Sequence, residues 1–189
     1  SKKAIKASIE SLKPGKTNGE IGGNIEETIL SSGFNPRTNL SEHGIARYVV
    51  HTSPSMVNYD SGERVKLKKG QIIAIEPFVS TGEGLITEGT GSQIYSLSEP
   101  KVIRNKQARE ILSYVREKYK TLPFGLIEII EKFGPMAKLA LRELEQQDII
   151  RLHSTLVEKS NGFVAQSEHT VLILEGGEII ITTKVIKIK

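Results

Sequence analysis

The stretch Asn39-Leu-Ser-Glu-His-Gly-Ile-Ala-Arg-Tyr-Val-Val-His51 carries two of the chain's four histidines and has the character of an extended segment. Matching acids follow at Glu76, in Ile-Ala-Ile-Glu-Pro-Phe, and at Glu168, in Ala-Gln-Ser-Glu-His-Thr. Each acid lies in or beside an apolar run typical of a strand, so its carboxylate either faces solvent or is held inside for a reason. The ordered set of two histidines and two glutamates indicates a chemical role.

Helical patterns open the chain. Residues 2–13 alternate apolar residues with lysines at helical spacing, and Pro14-Gly15 is expected to stop this helix. Thr17, with Glu20 three residues later, predicts a capping box at the start of a second helix that ends at Gly33.

Strand patterns follow. We expect an extended segment from Leu40 to Thr52 that is broken by Pro54, and one buried strand from Ile72 to Val79. Hairpin turns are predicted at four glycines, Gly82, Gly84, Gly89 and Gly91.

The pattern becomes helical between residues 105 and 152, where prolines and glycines interrupt the apolar spacing. This predicts two or three short helices inserted between strands. Strands are expected again from Phe163 to Leu174 and from Ile179 to Ile188, joined by a hairpin at Glu175-Gly176-Gly177.

Composition limits the class of protein. At 189 residues, with 38% hydrophobic and 25% charged residues, the chain can bury a core as an ordinary globular protein. No apolar stretch approaches the roughly 20 residues of a membrane span, and no secretory signal is recognisable, so a cytoplasmic location is expected. The net charge of +4 favours a solvated basic surface, because the lysines are scattered.

A metal site in this chain must use histidine and carboxylate ligands, because the chain has no cysteine. His43 by itself would most simply be a surface or core residue. Glu76 and Glu168, if they point inward, need a cation, since burying unpaired carboxylates costs several kcal/mol. One imidazole and two carboxylates make half of a divalent-metal site and do not complete one.

These four motifs, in this order, resemble the C-terminal part of a type II methionine aminopeptidase, particularly of its archaeal members. The resemblance covers the chain from about Lys3 onward. It implies an α+β, pita-bread fold of the creatinase and aminopeptidase kind, of which this chain would be the C-terminal half (1–104 and 153–189) with a helical insertion (105–152).

The resemblance also implies residue roles. His43 and Glu76 would bind one metal ion, and Glu168 would bridge two divalent ions (cobalt, manganese, iron or zinc). His51 would contact the substrate near the scissile bond and help to stabilise the tetrahedral intermediate. His153 would line the methionine pocket. The reaction implied is metal-dependent removal of the initiator methionine from nascent proteins.

Two departures from the family pattern stand out. Glu42 occupies a position where glycine is common, as Ala46 does at another. The family's first half, which brings two aspartate ligands and a catalytic histidine, has no counterpart here, since Asp60 and Asp148 lie in other contexts. The chain is therefore expected to be inactive without an N-terminal half.

Three accounts stay open: a split enzyme with the N-terminal half as a separate chain, a fragment of a single-chain enzyme, and a catalytically silent relative that binds proteins, RNA or the ribosome. The expected partners are that N-terminal half and nascent polypeptides beginning with Met, near the ribosome and without a membrane. His169 is expected to be structural, because it would point away from Glu168 on a strand.

Overall fold

The structure, a computed structural model, describes residues 1–13 and 15–183. Its helices are α1 (Lys2–Ser11), α2 (Asn18–Leu30), α3 (Lys106–Lys118), α4 (Leu126–Phe133) and α5 (Ala137–Gln146). Its strands are β1 (Asn35–Pro36), β2 (Ser41–Ala46), β3 (Val49–Val57), β4 (Ile72–Ile75), β5 (Phe78–Ser80), β6 (Ile86–Leu97), β7 (Phe124–Gly125), β8 (Ile150–Glu158), β9 (Val164–Gln166), β10 (His169–Ile173) and β11 (Ile179–Ile181).

The chain divides into two compact units. One comprises Ser1–Thr87 together with the chain from Val157 onward, and the other comprises Glu88–Leu156. The first contains all of the predicted site residues except His153.

Two helices cover the core of the first unit. The predicted capping box is confirmed: Thr17 Oγ1 accepts from the Glu20 NH at 3.3 Å, and the Glu20 carboxylate accepts from the Thr17 NH at 2.8 Å. The predicted first helix is also confirmed and ends at Ser11. The apolar stripes of α1 and α2 pack against residues of β4 and β10, which buries them from water.

The strands of this unit form two antiparallel sheets, one in the order β11-β10-β4-β2-β3 and one in the order β1-β5-β9. Two chain segments connect the two sheets. One passes from β4 to β5 through Glu76-Pro77, and the other passes from β9 to β10 through Ser167-Glu168.

The single strands predicted from Ile72 to Val79 and from Phe163 to Leu174 are therefore wrong, since each is two strands in two sheets. Pro77 supplies a physical reason for the first break, because it has no NH for a sheet ladder. We call the Glu76-Pro77 connection the strand switch.

Pro54 does not break its segment as predicted, because β3 runs through it. The β2–β3 register shifts at this place: His43 lies opposite Ser55 and Gly44 lies opposite Thr52. A β-bulge tolerates proline, since the bulged residue need not donate to the ladder.

The predicted turns at Gly89 and Gly91 are also wrong, because both glycines lie within β6. At Gly91 an added Cβ would lie 2.4 Å from Cδ2 of Leu152 on β8, so a larger residue there would require the Leu152 side chain to move. The β10–β11 hairpin at 175–177 is confirmed, with Ile173 opposite Ile179. Pro14 and the predicted strand end at Ile188 lie outside the described residues.

The second unit contains three helices, in agreement with the two or three predicted, and most of the sheet β7-β6-β8. The helices α3, α4 and α5 share one core with residues of these strands, centred on Phe124, Ile129, Leu141 and Leu144. Asn105 caps α3 by accepting from the Ala108 NH at 3.1 Å. Within residues 1–13 and 15–183, no helix has both the length and the apolar character needed to cross a bilayer.

Glu158 fixes the loop that leads into β9. Its carboxylate accepts from the NH groups of Gly84, Ser160 and Gly162 and from the Ser160 hydroxyl, at 2.7 to 3.1 Å. These contacts, the Gly162 amide first among them, lower the pKa of Glu158 from 4.5 to about 2.

The replacement Glu158→Gln is expected to destabilise the protein at pH 7 and much less at pH 3. The depressed pKa stabilises the fold above pH 4.5, and this stabilisation is lost as the pH falls towards 2. Urea unfolding of both proteins at the two pH values measures the effect, with the exposed Glu175→Gln as control. The prediction is contradicted if the two proteins differ in free energy of unfolding by the same amount at pH 3 and at pH 7.

Candidate active site

The site forms where the two sheet-to-sheet connections lie side by side. Ile75 pairs with His169 in one sheet, and Phe78 pairs with Gln166 in the other. The antiparallel register therefore sets Glu76 on the strand switch opposite the connection that carries Glu168. The charge of Glu168 reaches Glu76 and contributes to raising the pKa of the Glu76 carboxyl.

His43 comes to the same place from β2. It lies opposite Ala74 on β4, two residues before Glu76. Its Nε2 is 3.2 Å from Glu76 Oε1, and its Nδ1 is 3.1 Å from the Gly44 carbonyl oxygen. A carbonyl oxygen only accepts, so Nδ1 carries the proton. In the neutral ring, Nε2 then presents a lone pair to the carboxylate, and a proton or a cation must lie between them.

This donor pair fits a metal ion. Two ligands each about 2.1 Å from one ion lie roughly 3.0 to 3.4 Å apart for bond angles from 90 to 109°. The separation of His43 Nε2 from Glu76 Oε1, 3.2 Å, falls within that range. An imidazole nitrogen fixed by a hydrogen bond on its other nitrogen is the usual arrangement of a metal-binding histidine.

Glu76 is held in an environment that disfavours its negative charge. Burial first, and then the charge of Glu168, raise the pKa of Glu76. His43 and Gln166 act in the opposite direction, and Gln166 Nε2 donates to Glu76 Oε2 at 2.7 Å. A bound cation would offset the remaining unfavourable charge.

His51 packs on His43. The two ring centroids are 4.0 Å apart, with the ring planes inclined by 56°. Desolvation and the charge of His43 lower the pKa of His51, which favours its neutral form. Beside His43, the bulge requires a glycine at position 44, because an added Cβ there would lie 2.3 Å from the Ser53 carbonyl oxygen.

The other two histidines have contacts of their own. His153 is on β8, where its Nε2 is 3.1 Å from Ser96 Oγ, and its role in a methionine pocket stays a prediction. His169 Nδ1 is 3.0 Å from Thr183 Oγ1, which is a local contact in the β10–β11 hairpin.

Comparison with known proteins identifies the family. Residues 1–175 match metallopeptidase family M24. The chain belongs to this family. The M24 chain is 40% identical to a methionine aminopeptidase of Archaeoglobus fulgidus, over 96% of its own length and 61% of the relative. It is 36% identical to a methionine aminopeptidase of Methanothermobacter thermautotrophicus, over 96% of its own length and 61% of the relative. The predicted resemblance is confirmed.

Solved structures confirm the α+β, pita-bread fold. A thermophilic Arx1 matches with a TM-score of 0.72 at 16% identity, over 94% of the M24 chain and 53% of the other. A methionine aminopeptidase of Thermotoga maritima matches with a TM-score of 0.57 at 24% identity, over 97% of the M24 chain and 49% of the other. The M24 chain thus spans about three fifths of the curated relatives quoted above.

Membership of a metallopeptidase family implies use of divalent metal, and the described residues form only part of a metal site. His43 and Glu76 converge, whereas Glu168 is exposed and acts on Glu76 through its charge. Across residues 1–13 and 15–183, no three His, Asp or Glu side chains are arranged to hold one ion. The number and identity of the ions stay predictions.

Sequence reasoning missed two polar contacts of the site. Gln166 lies within a motif that assigns it no role, although its side chain donates a hydrogen bond to Glu76. Nothing in the sequence indicates Asn58, because its partners Glu42 and Phe78 are distant in the chain. Glu42 departs from the family pattern, and the structure buries it.

Proposed function

We propose that the M24 chain supplies part of the active site of a methionine aminopeptidase, a metallo-exopeptidase that removes the initiator methionine from nascent proteins. The observation that carries the proposal is the convergence of His43 Nε2 and Glu76 Oε1 at 3.2 Å. Relatives named methionine aminopeptidase, at 36 to 40% identity, support the substrate class.

In this proposal, His43, Glu76 and Glu168 hold two divalent ions of cobalt, manganese, iron or zinc. When bound, such ions polarise the scissile carbonyl and lower the pKa of water. The Gly44 carbonyl keeps Nε2 of His43 free to bind metal, and Gln166 orients the Glu76 carboxylate. Glu168 adds a second carboxylate from the neighbouring connection.

His51 serves as a substrate-binding and catalytic residue in this proposal. Its ring is exposed, favours the neutral form and lies against His43. A neutral imidazole can donate one NH to the carbonyl oxygen of the substrate as negative charge develops there. His153 is proposed to contact the methionine side chain.

The remaining ligands are proposed to come from a complementary segment, equivalent to the two fifths of the relatives that this chain does not match. In the favoured arrangement, a separate polypeptide supplies that segment. In the alternative, the segment and the present chain belong to one polypeptide. The substrate would be a nascent chain that begins with Met, and the assembly would bind it in the cytoplasm near ribosomes.

Native purification tests the proposal. Intact mass analysis identifies any chain that co-purifies, and methionine release from a Met-Ala peptide is measured with added Co²⁺ or Mn²⁺. Metal-dependent release by an assembly containing this chain supports the function. Absence of both metal binding and release in every assembly would overturn it.

The two histidines should differ in their effects. In the active assembly, His51→Ala is expected to lower kcat about 10²- to 10³-fold, the usual effect of removing one donor to a developing oxyanion. Co²⁺ affinity should be retained in His51→Ala and lost in His43→Ala, because His43 is the one of these two histidines that is proposed as a ligand. Titration calorimetry and steady-state kinetics measure the two effects. Equal loss of Co²⁺ affinity in both variants would contradict these roles.

A non-catalytic protein-, RNA- or ribosome-binding module is the second candidate, and Glu42 favours it as a departure beside the metal-binding histidine. Its carboxyl contacts Asn58, with the Asn58 amide nitrogen as donor. Against this candidate, Glu42 and His43 are consecutive on a strand, which directs their side chains to opposite faces. RNA binding that weakens steeply with salt, without metal-dependent methionine release, would favour this second function.

A further inference from the structure

The strand switch is followed directly by a backbone amide that has a side-chain partner. Pro77 has no NH, and the next amide, that of Phe78, follows directly. Asn58 lies one residue beyond the end of β3 and is 1% exposed. With its amide oriented to satisfy both neighbours, Asn58 accepts from the Phe78 NH at 3.2 Å and donates to a Glu42 carboxyl oxygen at 3.2 Å. The three groups form one chain of hydrogen bonds.

Glu42 is an unusual acceptor for that chain. Its side chain is 1% exposed, and Oε2 has no hydrogen-bond partner among the described residues. Burial, and then the charge of Glu76, raise the pKa of Glu42 well above its ordinary value, and the Glu76 amide only partly offsets this. Burying polar side chains is costly unless they are hydrogen-bonded, so the contact between Asn58 and Glu42 offsets part of this cost.

The two residues connect the strands that build the site. Glu42 precedes His43 on β2, which pairs with β4 and so lies beside the strand that ends in Glu76. Asn58 follows β3, which carries His51. A hydrogen bond between them therefore joins β2 to the end of β3 and, through Phe78, to the strand switch.

We propose that Glu42 and Asn58 are positioning residues that hold the strand switch and thereby keep the Glu76 carboxylate against His43. The pair acts on the backbone of the switch and not on the substrate. The proposal rests on the assignment of Glu76 as a metal ligand for its functional meaning. The hydrogen bonds of Glu42 and Asn58 that hold the strand switch do not depend on that assignment.

Amide hydrogen exchange at Phe78, measured by NMR, tests these hydrogen bonds. Glu42→Leu removes the acceptor at similar volume, whereas Glu42→Gln keeps an oxygen that can accept from Asn58. We expect exchange at Phe78 to be about tenfold faster in Glu42→Leu, because a lost local contact lowers the opening free energy. Exchange in Glu42→Gln should match the unaltered protein.

The ring nitrogen signals of His43 report the consequence for the site. They should shift in Glu42→Leu and not in Glu42→Gln, whereas Glu175→Leu, a matched change at an exposed glutamate, should alter neither readout. A general loss of stability would not be rescued by Gln and would affect amides far from the switch. Co²⁺ affinity should fall in Glu42→Leu and recover in Glu42→Gln.

Unchanged Phe78 exchange in Glu42→Leu would overturn the proposal. Should that variant fail to fold, the double variant Glu42→Leu/Asn58→Leu removes both polar partners together, and Phe78 exchange must again be faster. Exchange needs neither metal nor turnover, so the two proposals fail separately. Faster exchange without methionine release would leave the positioning pair intact and refute only the aminopeptidase function.

Discussion

The replacement Glu76→Gln is expected to lower kcat/KM for methionine release at least about 10³-fold, since a bound metal contributes several kcal/mol to transition-state stabilisation. Glutamine keeps the size of the side chain and its contact with Gln166, and it removes the negative charge that faces His43. Steady-state kinetics in the active assembly and calorimetric titration with Co²⁺ measure the effect. Metal affinity should fall together with activity.

Glu76→Gln should not lower the stability of the metal-free protein, although it lowers activity and metal affinity. The pKa of Glu76 is raised in the folded state, so its ionised form destabilises the fold above the unfolded-state pKa. Glu76→Gln removes this unfavourable charge and should therefore unfold at an equal or higher urea concentration at pH 7. The exposed Glu175→Gln is the matched control. Full activity in Glu76→Gln would disprove the role of Glu76 as a ligand.

Ile129→Ala is expected to reduce the free energy of unfolding by about 2–5 kcal/mol, the usual cost of deleting a buried aliphatic side chain. Ile129 is 0% exposed and lies in the core of the second unit with Phe124 and Leu144. The cavity left behind cannot be filled by neighbours that are themselves packed. Urea unfolding followed by circular dichroism measures the change.

The same helix provides the control. Ile127 is 63% exposed on α4, so Ile127→Ala makes the same chemical change on the opposite side. We expect it to alter stability by less than about 0.5 kcal/mol, as for most surface substitutions. Equal destabilisation by the two variants would mean that α4 does not pack as described.

Local sequence patterns were sufficient where the interacting residues are close in the chain. The capping box joins Thr17 to Glu20, three residues apart, and the 175–177 hairpin depends on glycines between two apolar runs. The stripes of α1 to α5 follow the helical period. In each case the interaction needs only backbone geometry and spacing.

Local patterns failed where a distant strand decides the outcome. The segment from Ile72 to Val79 has the apolar character of one strand, yet β10 pairs with its first part and β9 with its last. The sequence predicts a break at Pro54 and a turn at Gly91. Each instead lies within a strand, β3 or β6, that has a neighbouring strand, β2 or β8. Spacing along one segment contains no information about which strand becomes its neighbour.

The sequence by itself determined its helices, the order of its motifs, its resemblance to methionine aminopeptidases and the acids and histidines available for metal. Only the tertiary structure decided that His43 meets Glu76, that Gln166 orients Glu76, and that Glu42 and Asn58 hold the strand switch. The two members of each pair are 16 to 90 residues apart in the chain. Their meeting depends on the register of antiparallel strands, in which a shift of one residue would direct each side chain to the opposite face.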